Sequence, residues 1–137
     1  MTYARVIVLS AAVSMLPAQV SETQAILHIY RAKAEMGVAS RPTVSCDNFA
    51  LARIPNGRVY TIKASPGWHE IGTTDKPPIR VDMKADNEYF VRIDYPVNAA
   101  FSLGATPVVV SPEQGRMEIA GLRRLEGRYI EAASCGR

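Results

Sequence analysis

Two stretches of this chain alternate between apolar and polar residues with a period of two. In Ile79-Arg80-Val81-Asp82-Met83-Lys84 the alternation has no fault, and in Tyr89-Phe90-Val91-Arg92-Ile93-Asp94-Tyr95 Phe90 breaks it on the polar side. Successive side chains of a strand point to opposite faces, so this period places one face in an apolar core and the other in water. Ile79, Val81, Met83, Val91 and Ile93 are therefore expected inside, and Arg80, Asp82 and Lys84 outside. A one-residue slip would exchange the faces, so the register is strongly specified.

Turn residues divide the rest into short strands. Residues 24–31 (QAILHIYR) are rich enough in β-branched and aromatic residues for a first strand, and 32–40 form a polar connection. Asp47-Asn48 tolerates positive φ between Val44–Cys46 and Phe49–Ile54. Asn56-Gly57 is a strong hairpin signal before Arg58–Ala64, and together these predict a three-stranded antiparallel meander. After the turn at Ser65-Pro66-Gly67, Trp68–Thr73 reads as a strand. Pro77 and Pro78 keep 74–78 in a loop. Residues 98–106 read as irregular and Pro107–Val110 as the last apolar strand. Ser111-Pro112-Glu113-Gln114 then opens a short helix with an N-cap serine and a proline at the first position. Met117, Ile119, Ala120 and Leu122 are expected on its buried side, with Gly115 and Gly121 weakening it. The 137 residues, 47% of them hydrophobic and 21% charged, fit one globular domain. The expected fold is mainly β: a small antiparallel β-sandwich of immunoglobulin-like build over 24–126, with one short C-terminal helix. Residues 127–137 are expected to form a mobile tail.

The first residues read as an address. Arg5 precedes an apolar run from Val6 to Leu16, and the first acidic residue is Glu22. A basic start, a short apolar core and small residues near its end describe a secretory signal peptide, here 1–18, with cleavage after Ala18 or after Ser14. The run falls short of the roughly 18 residues a retained membrane helix needs, so no stable span is expected after processing. The expected location is periplasmic or extracellular. The formal charge of +3 is too small and too scattered to point to nucleic acid; Arg123, Arg124 and Arg128 cluster, but Glu126 interrupts them.

Few residues invite chemistry. His69 follows the Pro66-Gly67 turn and could serve as a base with Glu70 or Asp75; its bland alternative is a ring hydrogen-bonded to the turn backbone. His28 lies mid-strand. Asp82 and Asp94 could face each other across strands, but Arg80, Lys84 and Arg92 share their faces and point to surface charge pairs. The single tryptophan, Trp68, could anchor a partner or a sugar, but a core position is expected for it, as for Tyr89, Phe90 and Tyr95. Glycine-rich phosphate loops and closely spaced metal ligands are missing from the sequence, so neither catalysis, a cofactor nor a metal is expected. The two cysteines, Cys46 and Cys135, leave three fates open: an intramolecular disulfide favoured by an oxidising compartment, buried or free thiols, or a link between chains.

Tyr30-Arg31, the segment CDNFALARIPNGRVY, the turn Pro66-Gly67-Trp68-His69 and the strand Tyr89-Phe90-Val91-Arg92 together resemble a bacterial envelope family, the domain-of-unknown-function family 2846, similar to PEGA-type β-sandwich domains. The resemblance spans roughly 24–125. It implies an exported β-sandwich and carries no catalytic residues to transfer. Many members resemble lipoproteins, and this chain has no cysteine after its apolar run to carry a lipid. The expected role is a non-catalytic envelope module that binds a protein or glycan partner; the alternative is a small secreted hydrolase or lyase built on His69. N-terminal sequencing of the protein recovered from the envelope should begin just after Ser14 or Ala18. Material that begins at Met1 would remove the export reading.

Overall fold

The computed structural model describes residues 11, 12, 14, 23–34, 39–96 and 104–136. The expected signal segment lies almost wholly outside these residues, as does most of the irregular stretch before the last apolar strand. The strands are β1 (Ala25–Tyr30), β2 (Thr43–Cys46), β3 (Phe49–Arg53), β4 (Arg58–Ala64), β5 (Gly67–Thr73), β6 (Ile79–Met83), β7 (Glu88–Asp94) and β8 (Thr106–Val110). Helix α1 (Pro112–Ile119) follows, then the two-residue strand β9 (Arg123–Arg124), a 3-10 turn (Gly127–Tyr129) and β10 (Ser134–Cys135). They form two sheets. One runs β10-β4-β1-β7-β8, with β9 also on β4; the other runs β3-β2-β5-β6. The small β-sandwich with one short helix stands as expected.

Besides the short β9 and β10, which pair with β4 in parallel, the topology departs from a simple antiparallel meander in two places. Asn56-Gly57 does not close a hairpin. It turns the chain from one sheet into the other, so β3 pairs with β2 while β4 pairs with β1. Gly57 has φ of 72°. The Asn56 side chain accepts from Ala34 N and donates to Ala34 O, both at 3.0 Å. Its amide copies the pairing of a strand residue and fixes the corner. The second departure is parallel pairing of β1 with β7, from Ile26 opposite Glu88 to Tyr30 opposite Arg92. The chain between them makes an excursion through the other sheet, long enough to let the strands run the same way. The turn at Asp47 and Asn48 is as read, with φ of 51° and 68° between β2 and β3. Pro107 lies in β8, an outer strand, where a missing N–H is tolerated.

The core fills the space between the sheets. Leu27 and Ile29 from β1, Ile62 from β4 and Val91 and Ile93 from β7 meet Val44 from β2, Ile71 from β5 and Val81 and Met83 from β6. The alternation in β6 and β7 therefore sets their inner faces as expected, with Arg80 and Lys84 exposed and Ile79 and Asp82 intermediate. The six-stranded sheet is covered on its other face too. Tyr30, Val59, Phe90 and Val110 form a second buried cluster, with Ile119 and Leu122 against it. Phe90, which broke the alternation, is the floor of this outer cluster.

Helix α1 is capped as expected, Ser111 Oγ accepting from Gln114 N at 3.3 Å. Its buried side differs from the expected one. Met117 is 75% exposed and Ala120 is also exposed, whereas Gly115 is buried. A methyl group at Gly115 would fall inside the Phe90 ring. The missing side chain lets the helix backbone rest on that ring, which turns Met117 outward. Glu118 completes the contact by accepting from Tyr30 OH at 2.8 Å and from Arg92 at 2.8 and 3.1 Å.

The expected mobile tail is instead attached. Tyr129 and Cys135 are buried, Glu131 N and Ala132 N donate to Leu51 O, and Ser65 N donates to Cys135 O. These contacts leave no periodic signal because each pairs residues that lie far apart in sequence. Gly115→Ala, which would stabilise an isolated helix, should instead destabilise this protein by about 1–3 kcal/mol through overpacking. Val91→Asp should cost about 3 kcal/mol or more by burying an unpaired charge. Thermal melts of the two variants against the parent check both. An unchanged Gly115→Ala variant would mean the helix does not rest on Phe90.

Candidate functional site

The residues with the most chemical character gather at the end of the sandwich where the β2–β3 and β4–β5 turns meet the C-terminal segment. Cys46 ends β2 and Cys135 ends β10, so their disulfide joins one sheet to the other, with Cα atoms 5.7 Å apart and 89 positions apart in sequence. The intramolecular bond is thus the one of the three fates that the fold adopts. In the chain-entropy model a loop of that size stabilises the folded state by about 4 to 5 kcal/mol.

His69 lies beside the disulfide. β5 alternates, and Ile71 in the core sets the phase, so His69 points inward and is 5% exposed. Its Nδ1 is 2.7 Å from Asp47 Oδ2 and 3.8 Å from Cys46 Sγ. Its Nε2 is 2.6 Å from the Ser65 carbonyl oxygen and 3.3 Å from Ser65 Oγ. Asp47 is held in turn by Glu70 N, which donates to Oδ1 at 2.9 Å. Burial raises the Asp47 pKa, but the Glu70 N–H and His69 outweigh it and hold the carboxyl below its ordinary value. The group borders a cavity of about 650 Å³ whose apolar wall includes Phe49, Leu51 and Ala132. Phe49 is 70% exposed at its mouth.

Ser65, His69 and Asp47 have the composition of a hydrolase triad, but their bonding differs. A catalytic histidine offers a free Nε2 lone pair to the serine hydroxyl. Here Nε2 faces a carbonyl oxygen, which accepts and cannot donate, so Nε2 carries its proton toward that carbonyl. Gly136 also packs over the serine and the ring, where a methyl group would overlap Ser65 Oγ and His69 Cε1. The ring is thus hydrogen-bonded to the turn backbone, the non-catalytic of the two arrangements expected from the sequence. Its carboxylate partner is Asp47, however, and not Glu70 or Asp75. Glu70 contributes its backbone N–H, and Asp75 accepts from Ala105 N at 3.0 Å.

The other candidates are placed as follows. His28 stacks on Phe90 with ring centroids 4.5 Å apart and bonds Thr61 Oγ1 at 2.7 Å and Glu88 at 3.1 Å. Asp82 and Asp94 lie in different sheets and pair with Lys84 at 3.8 Å and Arg92 at 2.7 Å, so the facing carboxylates considered from the sequence do not form. Arg123 and Arg124 form β9, and Arg128 pairs with Glu126 at 3.0 Å. Tyr89 and Tyr95 are half-buried against the core and Phe90 is buried. Trp68 is not in the core. It is 60% exposed on the outer face of the four-stranded sheet, with the Arg80 guanidinium 4.9 Å from its ring centroid. With His69 and Ile71 fixing the inward phase of β5, its neighbour Trp68 has to point out. Among the described residues no helix is long and apolar enough to cross a membrane.

No family model, curated protein or solved structure matches the chain.

Because the Asp47 pKa is lowered in the fold, its ionised form contributes stability that is fully present above the unfolded value near 4 and is lost as pH falls through the folded value. Asp47→Asn should remove that contribution. The variant should melt below the parent at neutral pH, and the gap should narrow on acidification through pH 4. Melting curves recorded across that range check it, and a constant gap would contradict the role given to the carboxylate.

Proposed function

We propose that this chain is an exported, non-catalytic β-sandwich module that docks a protein partner of the cell envelope on the outer face of its four-stranded sheet. The observation that carries the reading is Trp68, 60% exposed and stacked with Arg80 on a sheet face that also presents Glu70 and Asp82. Tryptophan and arginine are enriched where truncation costs binding energy at protein interfaces. An exposed ring that buries little at home stands ready to bury against a partner. The signal-like start, the disulfide and the resemblance to envelope family 2846 support the exported setting. The bonding of His69 favours the module over a hydrolase or lyase, since the ring nitrogen such an enzyme would use donates to the Ser65 carbonyl.

The test is crosslinking of the exported protein in its own envelope, followed by affinity capture, for the parent, Trp68→Ala and Arg80→Ala. A defined protein should be captured by the parent. Trp68→Ala should weaken its binding by about 2 kcal/mol, roughly thirtyfold, while melting within about 0.5 kcal/mol of the parent. Capture that is indifferent to Trp68 would overturn the proposal. So would Trp68-dependent retention on isolated envelope glycans with no protein captured, which would assign the face to sugars.

A further inference from the structure

The residues around the disulfide have a second arrangement available to them. Cys46, Asp47, His69 and Cys135 each offer one ligand atom, and these four atoms lie within 4.8 Å of one another. We infer that, once the Cys46–Cys135 bond is reduced, these four residues form a tetrahedral site for a zinc-type divalent cation, with two thiolates, one imidazole nitrogen and one carboxylate oxygen. The inference is independent of the docking face.

Three observations carry it. Cysteine sulfur, histidine nitrogen and aspartate oxygen are all zinc ligands, and in a tetrahedral site their atoms lie roughly 3.3–3.8 Å apart when metal–ligand bonds are about 2.0–2.3 Å long. Two of the existing separations are already of that size, 3.8 Å from Cys46 Sγ to His69 Nδ1 and 3.7 Å from Cys46 Sγ to Asp47 Oδ2. Asp47 Oδ2 must retreat from its 2.7 Å bond to Nδ1, and its place in a partly exposed turn leaves room for that. The outer shell is also built. Nε2–H is bound to the Ser65 carbonyl, which directs Nδ1 at the ion, and Glu70 N holds Oδ1, which leaves Oδ2 to ligate. Metal-bound histidines and carboxylates are oriented in this way. The cavity beside Cys46, Asp47 and His69 supplies an entry path.

The chemistry balances with a dithiol reductant. Its two thiols become a disulfide, and its two electrons and two protons convert the Cys46–Cys135 bond into two thiols. The cation then displaces both thiol protons, and the proton shared between Nδ1 and Asp47 Oδ2 across their 2.7 Å contact, into water. Disulfide and metal exclude each other, because the two sulfurs must separate by roughly 1.7 Å to ligate one ion.

Titration with Co²⁺, a spectroscopic stand-in for Zn²⁺, tests the inference on the full chain as oxidised and as reduced protein. The reduced parent should bind one ion per chain with thiolate-to-cobalt charge-transfer bands and intense tetrahedral ligand-field bands. The oxidised protein should show neither. His69→Ala should lose at least the roughly tenfold in affinity that removal of even an outer-shell partner costs, and Asp47→Asn, which leaves the core intact, should weaken binding in the same sense. If reduction unfolds the chain, stoichiometric Co²⁺ should restore its strand signal in circular dichroism. The inference is overturned if the reduced chain binds no ion, if it stays unfolded with the ion present, or if the cobalt spectrum and affinity are the same in the oxidised protein or in both variants.

Discussion

The fold depends on burying the space between two sheets that no short hairpin joins. The strands come in pairs, β2 with β3 and β5 with β6 in one sheet, and β1, β4, β7 and β8 in the other. Each crossing between sheets is a turn or loop, so the sheets are held together by their side chains. Leu27, Ile29, Val91 and Ile93 are buried in one cluster with Val44, Ile71, Val81 and Met83 of the other sheet. Apolar burial has no direction and would tolerate sliding of one sheet on the other. The disulfide between β2 and β10 and the bond from Tyr60 OH to Ala132 O supply the direction, at one end of the sandwich. The site around His69 forms there because that is where both sheets and the C-terminal segment are fastened.

The outer face of the six-stranded sheet poses a different problem, since a sheet wet on one side would not need Tyr30, Phe90 and Val110 to be apolar. Helix α1 covers them at the closest approach a helix can make, backbone against ring, and Glu118 then ties the helix to both Tyr30 and Arg92. The sheet is thereby a middle layer where Tyr30, Val59, Phe90 and Val110 lie under the helix, while Ile26 on the same face of β1 stays exposed. The other sheet stays open to water on its outer face, where Trp68 and Arg80 lie.

What could be read from the residues follows the range of the interactions involved. Local period set the inward residues of β6 and β7, and local turn chemistry marked Asp47-Asn48 and the Ser111 cap. The even cysteine count raised the disulfide as one option, but nothing local selected its partner. Partners distant in sequence left no trace: the parallel meeting of β1 and β7, the transfer of β4 to the other sheet, and the pairing of His69 with Asp47, 22 positions earlier. Asn56-Gly57 was misread because a turn that reverses a chain and a turn that lifts it into another layer need the same left-handed glycine. Trp68 was misplaced for a more instructive reason. A general preference for buried tryptophan opposes the alternation of β5, in which a tryptophan beside an inward His69 has to face out. Gly115 was read as a weakness of the helix because propensity is a property of one element, and its value lies in what the helix touches.

The outer strands carry a consequence for how this protein behaves at high concentration. A sheet edge with free N–H and C=O groups invites another chain to extend it, which is a route to aggregation. Each edge here is blunted by a different device. β8 contains Pro107, which has no N–H to offer. Beyond β4 lie β9 and β10, each two residues long and too short to template a strand. β3 is capped by the C-terminal segment through the Ala52–Ile130 bridge and the bonds from Glu131 N and Ala132 N to Leu51 O. β6 follows Pro77 and Pro78 directly and presents Arg80 and Asp82 on its solvent face. The C-terminal segment that carries half of the disulfide is therefore also a guard on an edge, and loosening it would expose the backbone of β3 to its neighbours in solution.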